Sequence, residues 1–150
     1  MNSPLGYACR RDARKLRAST QMFNNRRQRQ AEQQEAQAEQ RRREDAAPRL
    51  RDVIPELTSL RLHVRDEPSA GRNAAWPYTR HLVVATTPAL FTIRCTEPTC
   101  DGRHELTGEV LRGLRARATR IEGESSCNGT VSGNGCDRKL VYVYEAEYRA

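Results

Sequence analysis

Aromatic side chains are scarce in this chain of 150 residues, which has two Phe, one Trp and five Tyr. Together with a mean hydropathy of -0.85, that scarcity excludes a large buried core. Long apolar runs are missing too: nowhere do the about 18 consecutive apolar residues of a membrane-spanning helix occur, so no membrane association is expected. Lysine is nearly absent, since only Lys15 and Lys139 stand among 26 basic residues. Such an arginine bias favours fork-shaped contacts to phosphates and carboxylates. There is no Gly-x-Ser-x-Gly, no His-Glu-x-x-His and no phosphate-cradling glycine loop, and His63, His81 and His104 are scattered without triad order. A non-enzymatic protein with no small-molecule substrate is therefore expected. The first nine residues lack the apolar run of a signal peptide, which points to a cytoplasmic protein. An Arg-rich, acid-poor start is also a trait of organellar transit peptides, but here it is weakly amphipathic and poor in serine.

What the chain does have is unevenly placed. Residues 1–47 hold 11 Lys+Arg against 6 Asp+Glu, and residues 48–150 hold 15 against 13, so most of the excess positive charge lies in the first third. After Phe23 that third offers only alanines as apolar groups, too little to offset the entropy of ordering a core. Its Gln, Glu, Arg and Ala are nonetheless strong helix formers. Glu32, Glu35 and Glu39 stand at helix-supporting spacings from Arg29 and Arg41 to Arg43. These features predict a solitary, partly formed polar helix over about 25–45, without coiled-coil seams and ending before Pro48. The division expected is a basic arm, 1–47, and a compact domain, 48–150.

The second part reads as α+β. Leu60 to Arg65 alternates apolar and polar residues, the mark of a strand with one buried face. Asp66 to Tyr78 is a loop by its breakers, with Trp76-Pro77-Tyr78 expected as the lid of a small core. Arg80–Thr86 and Leu90–Arg94 are β-rich on either side of Pro88, to be read either as one interrupted strand or as two. Leu140–Tyr148 carries bulk on both faces and suits an inner strand. Leu106, Val110, Leu114, Ala118 and Ile121 form the stripe of an amphipathic helix over about 105–120, with Arg112, Arg115, Arg117 and Arg120 outside it. The fold expected is a small antiparallel sheet of three to four strands covered by that one helix.

Four of five cysteines form two pairs, Cys95-Thr-Glu-Pro-Thr-Cys100 and Cys127-Asn-Gly-Thr-Val-Ser-Gly-Asn-Gly-Cys136. The first spacing turns both thiolates of a short loop towards one ion. In the second, Gly129, Gly133, Gly135 and two Asn-Gly dipeptides let the chain fold back as a hairpin. A helix of about 24 Å separates the pairs, so a shared site is possible without being forced. The pairs resemble those of zinc-ribbon and zinc-knuckle modules, over Cys95 to Cys136 only. The candidate ligands of a structural Zn2+ are thus Cys95, Cys100, Cys127 and Cys136, with His104 as a substitute. Two local disulfides or free buried thiols would use the same residues. Cys9 is an incidental thiol, and the sequon at Asn128 a chance match.

Arg10, Arg11, Arg14, Lys15, Arg17, Arg26, Arg27 and Arg29 are opposed only by Asp12 before residue 30. Arms of this kind neutralise nucleic-acid phosphates and release counterions. Tyr7 and Phe23 are the only stacking groups there. RNA, DNA or a nucleoprotein assembly is the expected partner. The alternative is a protein-interaction adaptor whose polar helix docks on a partner protein.

Overall fold

The computed structural model describes residues 8–67 and 77–150. It is mixed α+β, and the chain divides into two units, Met1–Arg42 and Arg43–Ala150. Most of the first unit lies in α1 (Ala8–Ala46), a helix of 39 residues and therefore about 58 Å long. The helix begins well before the expected residue 25, because Ala13, Leu16, Ala18 and Met22 and the intervening basic residues are helix formers as good as those that follow. It ends at Ala46, short of Pro48. Gln28 Nε2 donates to Glu32 Oε1 at 3.1 Å and Arg42 pairs with Glu39 at 3.3 Å, pairs at helical spacing that support an otherwise polar helix.

The second unit is built on one antiparallel sheet in the order β2-β1-β8-β5, with β1 at Leu57–Glu67, β2 at Tyr78–Leu82, β5 at Arg120–Ser126 and β8 at Lys139–Tyr148. Alternation decides its two faces. Leu60, Leu62 and Val64 lie opposite Ala146, Tyr144 and Tyr142 and are buried with them. Arg61, His63 and Arg65 lie opposite Glu145, Val143 and Val141 on the open face. β8 is an inner strand, but its bulk is asymmetric: Leu140, Tyr142, Tyr144 and Ala146 are buried while the valines are half-buried. Phe91 meets the Tyr144 ring edge-on at a centroid distance of 5.4 Å.

The cover differs from the single helix expected. The helix α3 spans only Thr107–Arg115, because Arg117 takes a left-handed φ of 57° and the chain then joins the sheet as β5, carrying Ile121 with it. A short α2 (Leu50–Val53) and the segment Ala89–Phe91 share the covering with α3, through Leu50, Ile54, Ala89 and Phe91. Arg80–Thr86 and Leu90–Arg94 are not one interrupted strand. Turn bonds from Thr86 and Thr87 N–H to Val83 O end the first stretch, and the following backbone bonds to Pro48 and Leu50 instead of to a strand. The second stretch yields β3 (Thr92–Arg94), which pairs with β4 (Arg103–Glu105) in a separate hairpin. Asp66 and Glu67 belong to β1, not to a loop. Trp76 lies outside the described residues, and Tyr78, 41% exposed on the edge strand, is no lid.

Candidate metal centre

Two hairpins bring the cysteines together. The β3–β4 hairpin carries Cys95 and Cys100 in its loop, closed by Cys95 N–H to Gly102 O at 3.2 Å. Between Cys127 and Cys136 the chain forms β6 (Thr130–Val131) and β7 (Asn134–Gly135). Ser132 and Gly133 connect them with φ of 51° and 80°. Two consecutive positive φ values make a two-residue turn of the twist that hairpins favour. The turn thus centres on Ser132-Gly133, not on either Asn-Gly dipeptide. The helix between the pairs is about 14 Å long at nine residues, and the seven residues of β5 return about 23 Å. Closure is accordingly easier than a helix of 105–120 would allow.

The four sulfur atoms of Cys95, Cys100, Cys127 and Cys136 all lie within 4.8 Å of one another, as free thiols. Two approaches run between the hairpins, 3.8 Å from Cys95 to Cys136 and 3.5 Å from Cys100 to Cys127. A tetrahedral metal shell with metal–sulfur bonds of about 2.3 Å has sulfur–sulfur edges of about 3.8 Å. The cluster could therefore hold a metal ion. Backbone donors repeat around it with one rule, the N–H two residues after each cysteine. Glu97, Gly102 and Gly129 donate to Cys95, Cys100 and Cys127 at 3.5, 3.3 and 3.3 Å, and Arg138 donates to Cys136. Such donors stabilise sulfur as a thiolate.

Electrostatics separates Cys136 from Cys95 and Cys100. Burial pushes the Cys100 thiol up to about 11, against the opposing Gly102 N–H, and also raises Cys95. At Cys136 burial acts in the same sense, but the Arg138 N–H and the neighbouring sulfurs outweigh it and hold the thiol below its ordinary value. A divalent cation would supply the charge that lets all four ionise together.

The hairpins interlock beyond the sulfurs. Arg103 N–H donates to Asn128 Oδ1 at 2.8 Å and Thr130 N–H to Asp101 Oδ1 at 3.1 Å. Arg138 and Glu97 form an ion pair at 3.4 Å with side chains 9% and 14% exposed. Of these four side chains Asn128 stands out in the sequence only through its Asn-Gly dipeptide and chance sequon, and Asp101, Glu97 and Arg138 do not stand out. The Gly two residues after a cysteine, in Cys100-Asp-Gly and Cys127-Asn-Gly, is the signal that could have revealed the symmetry. His104, the substitute ligand, stands outside the cluster: it is buried on β4 and its Nδ1–H donates to Ser125 O at 3.0 Å.

The remaining candidates are dispersed. Arg26, Arg27 and Arg29 are exposed on α1, while Arg10, Arg11, Arg14, Lys15 and Arg17 lie in the same helix, their side chains outside the described residues. Cys9 is likewise in α1, and Tyr7 is outside the described residues. On the open sheet face His63 bonds Thr79 Oγ1 at 2.9 Å through Nδ1 and Glu145 at 3.1 Å through Nε2. No described helix is long and apolar enough to cross a membrane.

Fold and site together define a class: an α+β protein with a long N-terminal helix and a cluster of four cysteines, two per hairpin, able to take a metal ion. No protein-family model matches the chain, and no curated protein or solved structure is detectably similar to it.

Proposed function

We propose that the protein is a non-enzymatic zinc protein, in which Cys95, Cys100, Cys127 and Cys136 bind one structural Zn2+ and the arginine-rich helix attaches to nucleic acid or a nucleoprotein assembly. The observation that carries the zinc reading is the four sulfurs within 4.8 Å, each faced by the N–H two residues on. Four thiolates close a tetrahedral shell and leave no position for substrate, which suits structure, not catalysis. Metal analysis of the untreated protein should give about one zinc per chain. Cobalt substitution should give the visible absorption of a tetrathiolate; protein without either would refute the assignment.

The nucleic-acid reading rests on charge: Arg26, Arg27 and Arg29 are exposed on one helix with Arg10, Arg11, Arg14, Lys15 and Arg17. Each phosphate neutralised releases counterions, so the logarithm of affinity for duplex DNA should fall against that of salt by about 0.9 per contact. Replacing Arg26, Arg27 and Arg29 by Gln should weaken binding and flatten that slope by about 2–3. Binding that ignores both salt and these changes would favour the second reading, a protein-docking adaptor. Met22 and Phe23, 68% and 65% exposed side by side on α1, are the observation on its behalf.

A further inference from the structure

The two sides of the cysteine cluster are fastened by different means. At Cys100 and Cys127 the residues two positions on are Gly102 and Gly129, whose backbones pack against each other. At Cys95 and Cys136 the equivalent residues are Glu97 and Arg138, joined through their side chains at 3.4 Å. Each of this second pair acts twice, giving its N–H to a sulfur and its side chain to the other hairpin. One thiol of this second pair, Cys136, is half-buried, whereas Cys95, Cys100 and Cys127 are buried.

We propose that the Glu97–Arg138 ion pair is the latch of the cluster, and that a bound divalent metal enters and leaves on the Cys95–Cys136 side. The inference rests on the metal reading above and extends it to how the ion is retained. Backbone packing between two glycines cannot be undone by a side-chain rotation. An ion pair can. When it opens, the side-chain tie between the hairpins beside Cys95 and Cys136 is lost. These two thiols are then held by backbone bonds alone, from Cys95 N–H to Gly102 O at 3.2 Å and from Cys136 N–H to Gly129 O at 2.9 Å, whereas the glycine packing beside Cys100 and Cys127 is unchanged. Four thiolates around one divalent ion would carry two net negative charges, and the Arg138 N–H on Cys136 is one of the donors that favour that loaded state. Removing one partner of a buried pair costs the other its opposite charge, and Thr99, whose hydroxyl donates to Glu97 Oε1 at 3.1 Å, brings no charge to replace it.

The test uses the full chain loaded with Zn2+ and a chromophoric chelator that competes for the metal. Arg138→Gln and Glu97→Gln should each weaken zinc retention on the order of 10- to 100-fold, the range typical of residues that support ligands, and hasten transfer. Both variants should keep the tetrathiolate spectrum with Co2+, and the charge-reversed double variant, Glu97→Arg with Arg138→Glu, should recover part of the loss. In the unaltered chain, alkylation during slow chelation should mark Cys95 and Cys136 ahead of Cys100 and Cys127. Retention within twofold of the parent in both single variants, or simultaneous alkylation of all four thiols, overturns the latch. Absence of a cobalt tetrathiolate spectrum in the unaltered chain overturns the metal reading itself, and the latch with it.

Discussion

Gly102 and Gly129 face each other so closely that a Cβ on Gly102 would collide with the backbone N and Cα of Gly129 and approach Cys127 Sγ to 2.6 Å. A Cβ on Gly129 would do the same to Gly102 and lie 2.6 Å from Cys100 Sγ. Backbone cannot rotate aside as a long side chain can. Gly102→Ala and Gly129→Ala should therefore each destabilise the paired hairpins by about 1–3 kcal/mol or more and cost the cobalt tetrathiolate spectrum. Gly108 and Gly135 have nothing within 4 Å of an added Cβ, and alanine there should stay within about 1 kcal/mol in chemical denaturation. Equal effects at all four positions would mean that the close approach is not what requires glycine.

Tyr142 illustrates how the sheet is joined to its cover. Its ring is buried over Gly123 on the neighbouring strand, where a Cβ would come 2.8 Å from the hydroxyl. The hydroxyl donates to Glu109 of α3 at 2.5 Å, and burial together with the Glu109 carboxylate raises its pKa. A bond to an ionised acceptor contributes more than a neutral one, so Tyr142→Phe should cost about 1.5–3 kcal/mol in urea unfolding. A cost below about 0.5 kcal/mol would show that water replaces the carboxylate without loss.

Much of this architecture was legible as pattern. Period two placed Leu60, Leu62 and Val64 on a buried face, and the cysteine spacing selected the four residues that cluster. The misjudged parts depend on tertiary contacts that no local pattern carries. Ile121 continues the helical stripe of Leu106, Val110 and Leu114, but Gly113 allows α3 to sit against it from the next strand, 2.6 Å from where a Cβ would lie. Ser132-Gly133 takes the turn because Asn128 and Gly129 are committed to Arg103 and to Gly102. The stretch after Val83 looks like a strand, yet bonds to residues 48–51 capture its backbone. Glu97 and Arg138 could not be paired without knowing which faces of the hairpins meet.

Acid should act on the open face through Glu145. The hydrogen bond from His63 chiefly, and then the nearby Arg61 and Arg120, hold its carboxyl below the ordinary value of 4.5. A carboxyl with a depressed folded pKa stabilises the fold fully above its unfolded value and loses that contribution as pH falls through the folded one. Between about pH 5 and 3 the parent should therefore lose more stability than Glu145→Gln, the two compared at each pH by denaturant titration. The group is exposed and its partners are screened by water, so the difference should be small and should shrink further in high salt. A gap that widens with salt would contradict the electrostatic account.

Metal removal should act locally. Among the described residues, fifteen buried residues of the aliphatic and aromatic core form one cluster, with Leu60, Val110 and Tyr144 among them, and Cys95, Cys100 and Cys127 form another, with Cys136 packed against it. The main sheet thus has its own apolar support, whereas the cysteine-bearing loops rest on the sulfurs, Val131, the Gly102–Gly129 approach and polar ties, among them Arg103 to Asn128, Thr130 to Asp101 and the Glu97–Arg138 pair. Binding free energy in such sites is largely folding free energy of the segments that supply the ligands. A strong chelator, or Cys136→Ser, should accordingly raise amide exchange across residues 95–103 and 127–138 by at least about tenfold, equivalent to about 1.4 kcal/mol. Amides of β1 and β8, which pair with each other from Leu57 to Glu67, should keep most of their protection. If chelator instead unfolds β8 together with the hairpins in one cooperative step, the sheet depends on the metal as fully as the hairpins do, and the division into two independent cores is wrong.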